Sequence, residues 1–196
     1  MKATAIKAAK EAGKIILRYY SKNVNATSKG DTYNLVTEAD LASENKIISI
    51  IKSRFPDHSL LTEESGEEIH KSDYCWVIDP LDGTNNFYHK FPMFCVSIAL
   101  YKKGKPLIGV VFDPLKKELF FAEKNRGSFL NNKKINVSNV NKLNKSLLVL
   151  GFYYERGLLM RKSLGQMKKI LLRKRPWYKK DGFSSVGSLL YCMRKI

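Results

Sequence analysis

The 196-residue chain is short of acid, of cysteine and of long apolar runs, and each shortage excludes something. Its longest charge-free apolar stretch, residues 91–101, falls well below the roughly 18 residues or more that a membrane-spanning helix needs. The N-terminal segment is broken by Lys2, Lys7, Lys10 and Glu11, so it does not read as a secretory leader. The three cysteines, Cys75, Cys95 and Cys192, are odd in number, scattered and without CxxC or Cys/His spacing. That argues against a zinc site and fits a reducing compartment, so a soluble, cytoplasmic protein is expected. With 44% apolar and 27% charged residues the composition is that of an ordinary globular chain, without repeats or low-complexity tracts. At about 100–200 residues per domain, the length accommodates one sizeable core, or one complete domain and part of another.

The scarce acid is also unevenly placed. Against 35 Lys+Arg there are 18 Asp+Glu, a formal net charge of +17, yet 11 of those 18 acids fall within residues 38–82. Residues 161–180 hold nine Lys/Arg and no acid. The basic surplus suits either a polyanionic partner or a Lys-rich composition with solvated faces. Acids gathered in a basic protein instead suggest a site for a divalent cation.

Apolar periodicity sets the elements around that cluster. Ala5, Ala9, Ala12, Ile16 and Tyr19 or Tyr20 recur at helical spacing, predicting a helix over residues 3–20. Residues 21–34 read as a loop or short hairpin. Thr37-x-x-Asp40 is a capping-box-like start for a second helix with Leu41, Ile48, Ile51 and Phe55 inward, stopped by Pro56. Residues 59–62 and 75–78 read as buried strands that end in Glu63-Glu64 and in Asp79. Residues 93–101, 107–112 and 119–123 form an expected antiparallel meander. A strand over 146–152 and a basic helix over 158–173, with Leu159, Leu164, Met167 and Leu171 inward, follow. The order predicts an α+β layered fold.

Residues 76–87 read WVIDPLDGTNNF. Pro80 lacks an N–H and should end the strand ladder immediately after Asp79. Leu81 can then turn its carbonyl toward whatever Asp79 and Asp82 hold, and Gly83 allows an unusual backbone angle close to a ligand. Residues 84–86 would open a helix or turn whose N–H groups suit a phosphate. D-P-x-D-G is also an ordinary turn, and Glu63-Glu64 is also a common solvated pair. Three segments that each place a carboxylate at an element boundary favour the chemical reading. The donor set is all oxygen, as hard Mg²⁺ prefers, and three carboxylates exceed the need of one ion. His58, His70 and His89 are read as structural or surface residues.

VTEAD (residues 36–40), FPDHSLLTEES (55–65) and WVIDPLDGTNNF with the following Phe91-Pro92 resemble, in order and spacing, the motifs of the inositol monophosphatase family of Mg²⁺-dependent, lithium-sensitive phosphatases. The resemblance covers residues 3–138 and continues weakly through 187–191. It implies a layered αβαβα sugar-phosphatase-type fold with an antiparallel sheet in an N-terminal domain, residues 1–140. Residues 141–196 would begin a second α/β domain, left incomplete.

It further implies two to three Mg²⁺ ions held by Glu63, Asp79, the Leu81 carbonyl and Asp82. Thr84, paired with Glu63 or with Asp40 through water, would orient and deprotonate the attacking water. The Gly83 and Thr84 N–H groups and Glu63 would face the phosphate. Glu64 and Asp40 would stand behind the ligands, and Lys29 near the metals. The reaction implied is in-line attack of Mg²⁺-activated water on phosphorus, with no protein nucleophile.

The family's late W-D-x-A-A-G segment has no counterpart: after Asp113 the only Asp is Asp181, in a different context. A C-terminally truncated phosphatase is therefore expected. Its substrate would be an inositol monophosphate or related small sugar or alcohol phosphate. Phosphoadenosine phosphate, histidinol phosphate and fructose bisphosphate are the alternatives, and an inactive or RNA-associated relative is the rival of a different class. A second copy of the chain is an optional partner, no membrane partner is expected, and nucleic acid is the less favoured one.

Overall fold

The computed structural model describes residues 1–22, 26–28, 35–142, 145–147, 149 and 157–172. The backbone divides into two units, Met1–Ile135 and Asn136–Ile196. Among the described residues no helix is long and apolar enough to cross a membrane.

Helix α1, Lys2–Tyr20, buries Thr4, Ala5, Ala8, Ala9, Ala12, Gly13 and Ile16 along one side. These small side chains let it lie close to its neighbours. A Cβ built on Gly13 would sit 2.6 Å from the Phe112 ring and 3.2 Å from Pro114. Of the loop or short hairpin expected over residues 21–34, the described residues show strand β1, Ala26–Ser28, which pairs antiparallel with β2, Leu35–Thr37, just beyond it, with Ala26 opposite Thr37. Thr37 then caps α2, Glu38–Lys52, in a full capping box: its side chain accepts from the Ala39 N–H, and Asp40 accepts from the Thr37 N–H.

The inward face of α2 differs from the expected one. Ala39, Asp40, Ser43, Glu44, Ile47 and Ile51 are buried, Leu41 is 49% exposed and Ile48 only half-buried. The capping box fixes Asp40 inward, and the i, i+3, i+4 rows counted from Asp40 lead to Ser43, Glu44 and Ile47. An apolar stripe alone misses a helix that buries its acids.

The main sheet has eight strands in the order β10-β9-β8-β7-β6-β5-β3-β4. They are β3 Ser59–Thr62, β4 Gly66–Glu68, β5 Tyr74–Asp82, β6 Cys95–Lys102, β7 Lys105–Asp113, β8 Glu118–Glu123, β9 Gly127–Leu130 and β10 Lys133–Ile135. From β5 to β10 the meander is antiparallel, as expected, and extends two strands further. The exception to antiparallel order is β3 with β5, which are parallel, Thr62 lying opposite Ile78. Strand β4 causes this: it returns antiparallel along β3 on the outer side, so the chain re-enters β5 from the end where β3 began. Alternate residues of β5 to β8, including Trp76, Ile78, Ile98, Leu100, Val110 and Phe121, form the core with α1 and α2, which pack against β5, β6 and β7.

Pro80 does not end the ladder. Pairing resumes at Asp82 opposite Cys95 after a register shift from Asp79 opposite Ser97, so β5 bulges by one residue and continues. A bulge accommodates a residue without an N–H and re-aims the side chains on either side of it.

His58 is structural, as expected. It stacks between Phe55 and Tyr74, with ring centroids 4.8 and 4.7 Å away, and its Nδ1 accepts from the Trp76 indole N–H at 3.1 Å. His70 meets Glu68 at the surface and His89 is exposed beside Tyr88. In the second unit, α4 spans Leu158–Leu172. Its Leu159 and Leu164, expected inward, are each 48% exposed, while Met160, Ser163, Met167 and Ile170 are half-buried. Met167, expected inward, is thus on the covered side, and it shares an i, i+3, i+7, i+10 row with Met160, Ser163 and Ile170 rather than with Leu159 and Leu164. The side chain of Leu171, the strand expected over 146–152 for the most part, and residues 187–191 lie outside the described residues.

Two outcomes test this account. Gly13→Val forces two methyls and a Cβ into the α1 to β7 contact and lowers stability by about 1–3 kcal/mol, measured by denaturant unfolding. Burial holds the His58 imidazole below its ordinary 6.5 against the pull of Asp57. The fold therefore favours the neutral ring: that stabilisation is complete above pH 6.5 and is lost as pH falls through the folded-state value. Unfolding midpoints between pH 7 and 5 should fall less steeply in His58→Gln, which keeps an acceptor for Trp76 but does not titrate.

Candidate metal centre

Four segments build the site. The parallel pairing of β3 with β5 continues one residue past β3: the Glu63 N–H donates to the Ile78 carbonyl at 3.2 Å, which sets Glu63 alongside Asp79. Asp79 is half-buried and accepts from the Leu81 N–H at 3.2 Å, so its carboxylate is folded back over the bulge. Asp82, on the far side of the bulge, is exposed, and its Oδ2 accepts from the Cys95 thiol at 3.7 Å. Gly83 follows at φ 94°, ψ 35° and opens the short helix α3, Thr84–Tyr88. A Cβ there would stand 2.9 Å from the Met93 carbonyl oxygen, so only glycine fits this approach.

Electrostatics show that the acids interact. Asp79 is pushed up to about 8, first by burial and then by repulsion from Glu63 and Asp82, with a hydrogen bond to Glu63 adding to the rise. The Cys95 thiol is pushed up to about 12 by burial and then by Asp82 and Asp79, which keeps it a neutral donor. Among the described residues, no three carboxylate, imidazole or thiol groups converge as a ready-made cage for one ion. A shared proton and a divalent cation relieve the same repulsion in different ways. Three carboxylates and the Leu81 carbonyl are oxygen donors throughout, so the set fits Mg²⁺ and not a soft metal.

Behind these groups lies a buried polar chain. Thr84 Oγ1 lies 3.0 Å from Asp40 Oδ1 and 3.0 Å from the Leu81 carbonyl oxygen, linking the cap of α2 to the β5 bulge. Thr84 therefore meets Asp40 directly, without the intervening water that the family resemblance implied. Asp40 is fully buried; burial raises its carboxyl above the ordinary range, opposed by hydrogen bonds from Thr37 and Thr84.

Lys90, at φ 59°, fastens the other end of α3: its ammonium donates to the Tyr20 and Lys22 carbonyls at 2.6 and 2.7 Å, and the Tyr20 hydroxyl donates to the Lys90 carbonyl at 2.8 Å. The structure thus brings together Glu63, Asp79, Leu81, Asp82, Gly83, Thr84 and Asp40. Glu64 is held through its backbone, and Lys29 lies outside the described residues.

Sequence reading missed two residues that contact these segments. Cys95 lies beside Asp82 only through the β5 to β6 register. Glu44 follows Asp40 by one helical turn, and that i, i+4 spacing was a readable signal.

A layered α+β fold with a carboxylate centre at the ends of two parallel strands is of the sugar-phosphatase type. The inositol monophosphatase family model matches residues 1–193, and the chain belongs to that family. It is 46% identical over 153 residues to the inositol-1-monophosphatase of Synechocystis sp., covering 78% of this chain and 53% of that protein. It is 41% identical over 169 residues to the Nus factor SuhB of Pasteurella multocida, covering 85% and 63%. In structure it resembles the extragenic suppressor protein suhB of Bartonella henselae, at TM-score 0.82 and 33% identity over 87% of this chain and 66% of that one. A further neighbour is an IMPase/NADP phosphatase complexed with Mg²⁺ and phosphate, at TM-score 0.62 and 28% identity over 69% and 52%. The chain spans little more than half the length of the curated relatives it matches.

Gly83→Ala puts a Cβ against the Met93 carbonyl at a left-handed backbone position. It should lower stability by about 1–3 kcal/mol, read as a shift in the unfolding midpoint.

Proposed function

We propose that this chain contributes the metal-binding part of a Mg²⁺-dependent phosphomonoesterase acting on an inositol monophosphate or a related small sugar or alcohol phosphate. The observation that carries this reading is the parallel β3/β5 pair, which sets Glu63 beside Asp79 and Asp82 at one sheet end. Glu63, Asp79, Asp82 and the Leu81 carbonyl would hold the ions. Mg²⁺, when bound there, supplies an acidified water and neutralises phosphate charge.

The remaining work falls to the chain. Asp40 takes the Thr84 hydroxyl proton in a hydrogen bond, which leaves Oγ1 lone pairs to accept from, and so aim, a water approaching phosphorus. The Gly83 turn brings main chain close to the site, and the N–H groups of Gly83 and Thr84 at the start of α3 suit a phosphate oxygen. Glu63 would face that phosphate from the turn after β3. Lys29 is assigned a place near the metals on the family resemblance alone. Residues 1–140 would be the metal-binding domain and 141–196 would belong to a second.

A second reading has its own support. A relative bears the name Nus factor SuhB, and α4 exposes Arg161, Lys162, Lys168 and Lys169 without an acid. On that reading the chain is a nucleic-acid accessory whose phosphate contacts give affinity a steep dependence on salt.

Phosphate release from inositol monophosphate by the purified 196-residue chain separates the two. The expected result is release that requires Mg²⁺, is inhibited by Li⁺ and falls to the protein-free background in Asp79→Asn. A folded chain with no Mg²⁺-dependent release, or with equal release in Asp79→Asn, overturns the phosphatase reading; RNA affinity that falls steeply with salt would then support the second.

A further inference from the structure

Glu44 is a buried acid for which the site chemistry above has no use. It is 1% exposed, on the sheet-facing side of α2, and its hydrogen bonds go to the turn that follows β3. Glu44 Oε2 accepts from the Glu64 N–H at 2.9 Å, Oε1 accepts from the Ser65 N–H at 2.9 Å, and Oε1 also accepts from the Ser65 hydroxyl. A carboxylate taken out of water is costly unless such donors satisfy it, so this one holds the turn tightly.

The turn carries Glu63. The Glu63 N–H is fixed by the Ile78 carbonyl, and the next amide, that of Glu64, is fixed by Glu44. The backbone on both sides of Glu63 is thereby held, which sets where its carboxylate leaves the chain. Asp40, one helical turn earlier on α2, holds Thr84 and thus the β5 bulge. Two acids at i and i+4 on one rigid helix therefore grip the two segments whose carboxylates must meet.

We propose that Glu44 is a positioning residue of the metal centre: through the Glu64 and Ser65 amides it fixes the backbone from which the Glu63 carboxylate reaches toward Asp79 and Asp82. The proposal rests on the phosphatase reading for the identity of the centre, but its test does not depend on turnover. Hydrogen-bond partners behind metal ligands typically contribute 10- to 100-fold in affinity. Gln has the shape of Glu but offers one acceptor and one donor, so Glu44→Gln presents an NH₂ group to one of the two backbone N–H groups.

Mn²⁺ serves as the probe, since it takes the same oxygen donors and its free ion is counted by electron paramagnetic resonance. The 196-residue chain should bind Mn²⁺ at a site lost in Asp79→Asn, and without metal its Glu64 and Ser65 amides should be protected from hydrogen exchange. In Glu44→Gln both amides should exchange quickly, protection in β5 to β7 should persist, and Mn²⁺ affinity should fall about tenfold or more. Fast-exchanging amides with affinity within about twofold of wild type would overturn the proposal and leave the metal centre standing. Amides that stay protected in Glu44→Gln would overturn it as well. Absence of any Asp79-dependent Mn²⁺ site in the wild-type chain would overturn the metal reading, and this proposal with it. Should Glu44→Gln fail to fold, Ser65→Ala decides by removing one donor: about threefold weaker Mn²⁺ binding supports the proposal, and unchanged binding overturns it.

Discussion

The parallel register of β3 and β5 is the constraint on which the site depends. Antiparallel neighbours would carry Glu63 and Asp79 to opposite ends of the sheet. Because β4 doubles back along β3, the chain re-enters the sheet in the same direction, and Thr62 lies opposite Ile78. Glu63 and Asp79 then follow at the same end. The cost of that meeting is partial burial of a carboxylate together with repulsion from its like-charged neighbours, visible in the raised Asp79 carboxyl. Hydrogen bonds from the Leu81 N–H to Asp79 and from the Cys95 thiol to Asp82 offset part of it, and a shared proton or a divalent cation would offset the rest.

Helix α2 is the counterpart of this sheet register. Its capping box points Asp40 inward, and Glu44 follows on the same face, so a helix that looks weakly apolar in sequence is buried through two satisfied acids. Asp40 reaches Thr84 in the β5 to α3 turn and Glu44 reaches the turn after β3. One rigid element thus spans both halves of the carboxylate centre. The close seating of α1, permitted by alanines and Gly13, and the clasp of Lys90 on the end of α1 hold the other side of the same turn.

Much of the frame was legible in the sequence. The helix over residues 3–20, the capping box at Thr37, the short strand before Glu63, the meander and the turn at Gly83 all came from local patterns, and each agrees with the structure. The misreadings share one cause: local patterns do not report what a segment packs or pairs with. Strands β4, β9 and β10 are only three or four residues long and lack an apolar signature of their own, so their place follows from their neighbours. Pro80 reads locally as a stop, yet a bulge lets β5 continue to Asp82. Leu41 was placed inward because apolar side chains usually are, and Asp40 and Glu44 displaced it.

The order VTEAD, LLTEES and WVIDPLDGTNNF determined, by itself, which family the chain resembles and which oxygens are on offer, because donor chemistry is a property of residue types. The sequence also offered, at Gly83, the backbone freedom that the left-handed turn uses, while the close approach of the Met93 carbonyl, a tertiary contact, is what excludes a side chain there. Tertiary structure decided the rest: that Glu63 stands beside Asp79, that Thr84 meets Asp40 directly, that Cys95 lies against Asp82 and that Glu44 holds the turn after β3. These depend on strand register and helix rotation, which are set by the packing of segments distant in sequence and are written in no single one of them.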